Sequence, residues 1–229
     1  MGWWIMIDVC FITHLNSENR VKLFVQTFES FIKNTNFSLI DSIVLMDDCS
    51  PVPITVEIPQ LKYIRNETQK GVGFSKNLGA EQGTAKYIYF SDTDVFFTPK
   101  WADKLLEAYS LIKSFDNVFD LGILAGGCHP YLQTNQTLVS NPYVYHIKDA
   151  VSGWSWLLER ETWNKYGKLH DHALGSGQSE DWEYCQRIKP LVSASIFPEV
   201  IYHCGITNTE NMPVGGAELF PRLEGILYL

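Results

Sequence analysis

A chain of 229 residues with 45% hydrophobic and 19% charged residues has the make-up of one large folded domain, and two compact domains would be cramped in it. The net charge of -8 argues against general nucleic-acid binding, which needs clustered Lys and Arg. The 5 cysteines include no Cys-x-x-Cys pair, which excludes an evident disulfide framework or zinc knuckle and fits a reducing compartment.

The apolar opening is broken by Asp8, has no basic leader and is too short to span a bilayer, so it reads as a buried first strand over 5–12. With no transmembrane segment elsewhere, the expected location is the cytoplasm, with membrane contact only peripheral and through partners. A helix follows, capped by Ser17 with Glu18 in its first turn; Val21, Phe24, Val25, Phe28, Phe31 and Ile32 recur at helical spacing and are expected in the core. A second strand over 42–46 ends in Asp47-Asp48, and a third is predicted over 61–65. Gly71 opens a helix that Gly83 closes, a fourth strand over 87–90 runs into Asp92-Thr93-Asp94, and Thr98-Pro99 starts a helix presenting Trp101, Leu105, Leu106, Tyr109 and Ile112 on one face. This alternation predicts an α/β fold: a mostly parallel, Rossmann-like sheet with helices on both faces, whose ligands bind beyond the carboxyl ends of the strands. The second half is less regular. Its apolar segments over 121–125, 151–158 and 196–202 read as sheet completion plus the acceptor side of a cleft.

Asp92 and Asp94 directly follow a strand, which places two carboxylates at the end of the sheet. Such hard oxygens hold Mg²⁺ or Mn²⁺ and leave coordination positions for a diphosphate; a loop aspartate capping the next turn is the plain alternative. Asp47 and Asp48 end another strand of the same sheet, so the two acidic loops flank one crevice. A carboxylate there accepts from a pyrimidine N–H or a ribose hydroxyl, or else sits in a solvated turn. Glu180 and Asp181 open a helix carrying Trp182, Tyr184, Cys185 and Arg187, after a glycine-containing loop over 175–179. A carboxylate in that turn is either a helix-terminus charge or the general base for an acceptor hydroxyl attacking an anomeric carbon. His203 completes the metal shell only if the fold brings it beside Asp94, and is otherwise a structural histidine. The segment 128–157 holds His129, Tyr131, Tyr143, Tyr145, Trp154 and Trp156, aromatics suited to stacking on sugar rings, although core packing is the simpler reading of each.

Taken in order, these pieces resemble glycosyltransferase family 2 and its GT-A fold. They are Phe11-Ile12-Thr13, then Val44-Leu45-Met46-Asp47-Asp48-Cys49-Ser50, then Asn66 with Gly71-Val72-Gly73-Phe74-Ser75-Lys76-Asn77-Leu78-Gly79-Ala80. Tyr87-Ile88-Tyr89-Phe90-Ser91-Asp92-Thr93-Asp94, Glu180-Asp181 with Arg187, and His203 complete the series. The resemblance implies an inverting transfer of a hexose-type sugar from a nucleotide diphosphate donor, a UDP-sugar, to a glycan or other hydroxyl-bearing acceptor, assisted by Mn²⁺ or Mg²⁺. It implies Asp181 as base beside Glu180, and Asp94 with His203 on the metal. Asp92 would hold the metal or the ribose. Thr13, Asp47 and Asp48 would meet the nucleobase end, Lys76, Asn77 and Thr93 the rest of the donor, and Trp154, Trp156 and Trp182 the acceptor. Lys76 stands where the family often has Arg, and Cys49 where Gly is common.

The expected organisation is a single domain over 1–229, with a nucleotide-sugar half over 1–98 and an acceptor-binding and catalytic half over 99–229; a homo-oligomer stays open. A sugar nucleotidyltransferase is the nearest competing enzyme, but the segment after the first strand, Thr13-His14-Leu15-Asn16-Ser17, lacks the glycines of its phosphate loop. A non-catalytic nucleotide-sugar or glycan-binding module of the same fold is the other alternative.

Overall fold

The computed structural model describes residues 6–51, 54–56, 58, 60–115, 120–127, 133–170 and 180–204. Strand β1 (Ile7–Thr13) is buried along its whole length because both of its faces are covered. Its side chains alternate, Ile7, Val9 and Phe11 entering one core and Cys10 and Ile12 the other. The same alternation carries β2 (Ile40–Asp47), where Ile43 and Leu45 face one core and Val44 and Met46 its counterpart. With β3 (Leu61–Arg65) and β4 (Tyr87–Asp92) these strands form an all-parallel half in the order β3-β2-β1-β4.

The remaining strands are β5 (Val95–Phe97), β6 (Leu121–Ala125), β7 (Gln136–Ser140), β8 (Tyr143–Lys148), β9 (Ser155–Glu159), β10 (Val192–Phe197) and β11 (Ile201–His203). Among the described residues the large sheet is 9-stranded and continues as β4-β9-β6-β10-β8-β7, with β9 wedged antiparallel between β4 and β6. Only β9 and β8 run against the other strands, so the sheet is mostly parallel as expected. The segment anticipated over 196–202 is two strands instead of one, and its second piece, β11, leaves the large sheet to pair antiparallel with β5.

Helices α1 (Glu18–Asn34) and α3 (Trp101–Lys113) cover one face; α2 (Val72–Ala80), α4 (Arg160–Tyr166) and α5 (Glu180–Arg187) contribute to the opposite core. Ser17 caps α1 as predicted, its hydroxyl accepting from Arg20 N at 3.3 Å. The predicted apolar stripe is narrower than expected. Phe24, Thr27, Phe28 and Phe31 are buried, whereas Val21, Val25 and Ile32 are exposed at 46%, 47% and 48%. At about 100° per residue the three exposed positions lie some 60–100° round the helix from Phe24, beyond the line that reaches the sheet. That line is aromatic: Phe28 and Phe31 meet Phe11 at 4.7 and 5.0 Å, and Phe31 reaches Phe97 at 5.3 Å. Helix α3 begins at Trp101, later than Thr98, whose hydroxyl instead donates to Val200 O.

One carboxylate lies within β1. Asp8 is buried and accepts from Arg160 Nη2 at 2.6 Å, Ser42 Oγ at 2.5 Å and Ala85 N at 2.7 Å. Arg160 also donates to the carbonyls of Ala85 and Ala80, tying α4 to the start of β4. Arg160→Met leaves that carboxylate without its counter-charge, and the expected loss is about 3–5 kcal/mol of unfolding free energy. Urea denaturation measures it; a loss below about 1 kcal/mol would reduce the pair to the worth of a surface ion pair.

Candidate active site

The parallel strands β1, β2 and β4 release their chains at one end of the sheet, and both acidic loops lie there. Beyond β4, Thr93 donates its hydroxyl to Thr13 Oγ1 at 2.7 Å, which joins the ends of β4 and β1. Asp94 follows, 4% exposed. The β5–β11 ladder then sets His203 opposite Val95, and Cys204 N donates to Asp94 O at 2.7 Å. That register brings a histidine more than a hundred positions away in sequence against the aspartates.

The ligand atoms of Asp92, Asp94 and His203 all lie within 4.8 Å of one another. Asp94 Oδ2 accepts from Arg20 Nη1 at 2.8 Å. Its Oδ1 lies 3.4 Å from His203 Nε2, an ion-pair distance, yet is buried without a hydrogen bond among the described residues. A buried carboxylate oxygen left in that state is costly unless a cation meets it. The charges of the cluster pull in both directions. Burial pushes the Asp92 carboxyl up to about 6 against the opposing pull of Lys76, with Asp94 adding to the rise. Burial also acts to raise Asp94, but His203 and Arg20 outweigh it and hold that carboxyl below its usual range. For His203 burial works to lower the imidazole, and Asp94 and Asp92 override it to hold it above its ordinary value. Two carboxylates and an imidazole suit Mn²⁺ or Mg²⁺, so the residues fit a divalent cation. The His203 ring packs on Trp154 at 5.3 Å with a 32° tilt, which fixes its orientation.

Beside this cluster is a cavity of about 290 Å³, lined by Thr13, His14, Asn16, Arg20, Asp48 and Gly71 among others. Asp48 borders it with a carboxylate held by Asn66 Nδ2, Lys70 N and Gly71 N at 2.8, 2.7 and 2.9 Å. Asp47 does not line it. That residue is 0% exposed, and its carboxylate takes Ser50 N, the Tyr63 hydroxyl and Arg65 Nη1 at 2.8, 2.6 and 2.9 Å. It holds the loop from behind, on the side of Tyr63 and Arg65, away from the residues that line the cavity.

On the α5 side, Lys76 is 1% exposed and donates to Glu180 Oε1 and Gly153 O, each at 2.9 Å. Burial favours the neutral amine, but Glu180, Asp92 and Asp181 around it hold Lys76 above its ordinary value. Gly153 N donates to Asp181 Oδ2 at 2.9 Å. A single residue thus grips both the lysine and the aspartate. Asn77 is turned elsewhere: its amide accepts from Leu169 N and donates to Leu169 O, both at 2.8 Å, so it clamps the chain after α4 and does not line the cavity.

The expected acceptor aromatics divide. Trp156 is 0% exposed, with Nε1 donating to Val151 O and the Lys76 ammonium 5.2 Å from its ring. Tyr143 and Tyr145 are likewise buried, bonded to Glu107 and Ala108 O. All three are core residues, because β8 and β9 are interior strands with covered faces. Trp154 backs His203, and Trp182, on α5 next to Asp181, is 51% exposed. His129, Tyr131, the loop over 175–179 and the tail from Gly205 onward lie outside the described residues.

Sequence reading missed Arg20 and Gly153. Arg20 left one signal, a cation in the first turn of α1, where the helix dipole favours acids.

Residues 11–120 match the profile described as Glycosyl transferase family 2. An uncharacterized glycosyltransferase of Haemophilus influenzae is 31% identical over 94 residues, covering 40% of this chain and 31% of that protein. Polypeptide N-acetylgalactosaminyltransferase 16 of Mus musculus is 30% identical over 87 residues, 36% of this chain and 16% of its own length. The chain therefore matches less than a third of either relative. Among solved structures, GalNAc-T7 with UDP, GalNAc and Mn²⁺ superposes with a TM-score of 0.60 at 15% identity over 84% of this chain and 43% of that one. S. aureus TarS with UDP-GlcNAc gives 0.58 at 18% identity over 90% of this chain and 60% of its own. These likenesses establish the GT-A fold. Residues 11–120 thus carry the family 2 glycosyltransferase profile within a chain of GT-A fold.

Proposed function

We propose that this chain transfers a hexose-type sugar from a UDP-sugar to an acceptor hydroxyl with inversion, using Mn²⁺ or Mg²⁺ held by Asp92, Asp94 and His203. The observation that carries the proposal is the buried Asp94 Oδ1, without a hydrogen bond within a three-residue ligand cluster, beside the cavity lined by Thr13, Arg20 and Asp48. The neighbours support the donor class, since GalNAc-T7 was solved with UDP and Mn²⁺ and TarS with UDP-GlcNAc. A mannosyltransferase of Pyrobaculum calidifontis solved with GDP-Man and Mn²⁺ superposes at a TM-score of 0.54, so GDP-sugars belong in the test.

A divalent cation bound there supplies electrostatic stabilisation for the leaving nucleoside diphosphate. The chain's own residues do the rest. Thr13 and Asp48 receive the nucleoside, with Asp48 oriented by its three donors. Asp181 accepts the proton of the acceptor hydroxyl as that oxygen bonds to the anomeric carbon and the bond to the diphosphate breaks. Gly153 N fixes the carboxylate, and Lys76 neutralises Glu180 alongside it. Trp182 offers an aromatic surface next to the base for a glycan acceptor. In this assignment 1–98 supplies the donor half and 99–229 the acceptor and catalytic half. Among the described residues no helix is long and apolar enough to cross a membrane; a cytoplasmic location, with peripheral membrane contact through partners, is part of the same proposal.

The test is a panel of UDP- and GDP-sugars with Mn²⁺, following nucleoside diphosphate release and the anomeric configuration of the product by NMR. Release from one donor with an inverted product supports the proposal; a retained product would remove Asp181 from its role as base in a single displacement. Gly153→Ala probes the clamp. A Cβ there would sit 2.6 Å from Lys76 Nζ and 3.2 Å from Asp181 Cβ, so turnover is expected to fall about 10- to 100-fold through misplacement of the base, with the circular dichroism spectrum unchanged. Parental turnover would show that the clamp does not position it.

A further inference from the structure

Arg20 belongs to both halves of the site: it lines the cavity and its Nη1 donates to Asp94 Oδ2 at 2.8 Å. It is the only Lys or Arg among the described residues lining that cavity. Its side chain is 32% exposed against 5% for Asp94, and Nε and Nη2 make no hydrogen bond with any described residue. A guanidinium anchored through one nitrogen keeps the rest of its planar fork for an anion, and the fork matches phosphate oxygens in a bidentate way that an ammonium does not. Its place on α1 has no helical rationale, since a cation in the first turn opposes the dipole.

We propose that Arg20 is the diphosphate-recognition residue of the donor site and the counter-ion of Asp94 until donor and divalent cation arrive together. Buried carboxylates need a counter-charge, and Arg20 supplies it from the cavity side. A divalent cation at Asp94 takes over that neutralisation, and the guanidinium turns along the cavity to the donor's diphosphate. Arg20 therefore acts with opposite sign on the two ligands: it competes with the cation for Asp94 and attracts the nucleotide. A residue that merely supported the fold would favour both. This inference rests on the nucleotide-sugar reading above.

The experiment titrates UDP and GDP, each with Mn²⁺, into the parent chain and into Arg20→Met and Arg20→Gln by calorimetry, and Mn²⁺ alone by electron paramagnetic resonance. The expected result is nucleotide affinity weakened about 10- to 100-fold in both variants, the loss of a charge-assisted hydrogen-bond pair, with Mn²⁺ alone bound at least as tightly as by the parent. Unchanged nucleotide affinity overturns the inference and leaves the nucleotide-sugar reading standing. Parallel weakening of Mn²⁺ and nucleotide overturns it in favour of a structural role. Failure of the parent to bind either nucleotide removes the nucleotide-sugar reading and the inference with it.

Discussion

Replacing Asp94 by alanine is expected to lower sugar transfer by about a thousandfold and to abolish its dependence on Mn²⁺, because a metal acting on a leaving diphosphate contributes several kcal/mol to the transition state. Asp94 is the central member of the cluster, with Oδ2 on Arg20 and Oδ1 facing His203 without a hydrogen bond. Removing the carboxylate deletes one ligand and frees Arg20, which is already part-exposed, so the fold should survive. Asp94→Asn keeps the shape and one acceptor oxygen and should fall between parent and alanine. Steady-state rates across a Mn²⁺ titration make the measurement. Variants that kept the parental rate and its metal response would move the cation elsewhere.

The second large effect is at Asp181. Asp181→Asn preserves an acceptor oxygen for the 2.9 Å bond from Gly153 N but cannot take up the acceptor's proton. Turnover should drop about 10²- to 10⁴-fold, while donor affinity in the presence of Mn²⁺ stays within about threefold, since uniform binding is untouched. Single-turnover rates and nucleotide titration separate the two. Equal losses in binding and turnover would make Asp181 a donor ligand and not the base.

The parallel half of the fold was legible in the sequence because its strands are apolar on both faces and end in polar loops: β1, β2 and β4 lie where 5–12, 42–46 and 87–90 were expected. Ser17 as a cap was legible for the same local reason. The helix stripe was over-read at Val21, Val25 and Ile32, because periodicity marks an apolar sector without showing how much of it a sheet covers. Long-range pairings left no trace. Pro198 marks the break between β10 and β11, but nothing local signals that β11 pairs with β5, and that register is what sets His203 against Asp94. Residue type also failed to separate neighbours. Asp47 and Asp48 are adjacent, but the pleat turns one inward to Tyr63 and Arg65 and leaves the other at the cavity. Lys76 and Asn77 were both assigned to the donor, whereas one holds Glu180 and the other clamps Leu169. Gly153 was invisible because its contribution is a backbone N–H and C=O.

The measurement that bears most directly on metal-dependent nucleotide-sugar chemistry is calorimetric titration of UDP into the parent chain with Mn²⁺ and again after chelation with EDTA. Saturable binding with Mn²⁺ that weakens at least tenfold on chelation is the predicted result, since the diphosphate would then face Asp92 and Asp94 without their cation. Equal binding under both conditions would contradict a metal-assisted donor site at Asp92, Asp94 and His203.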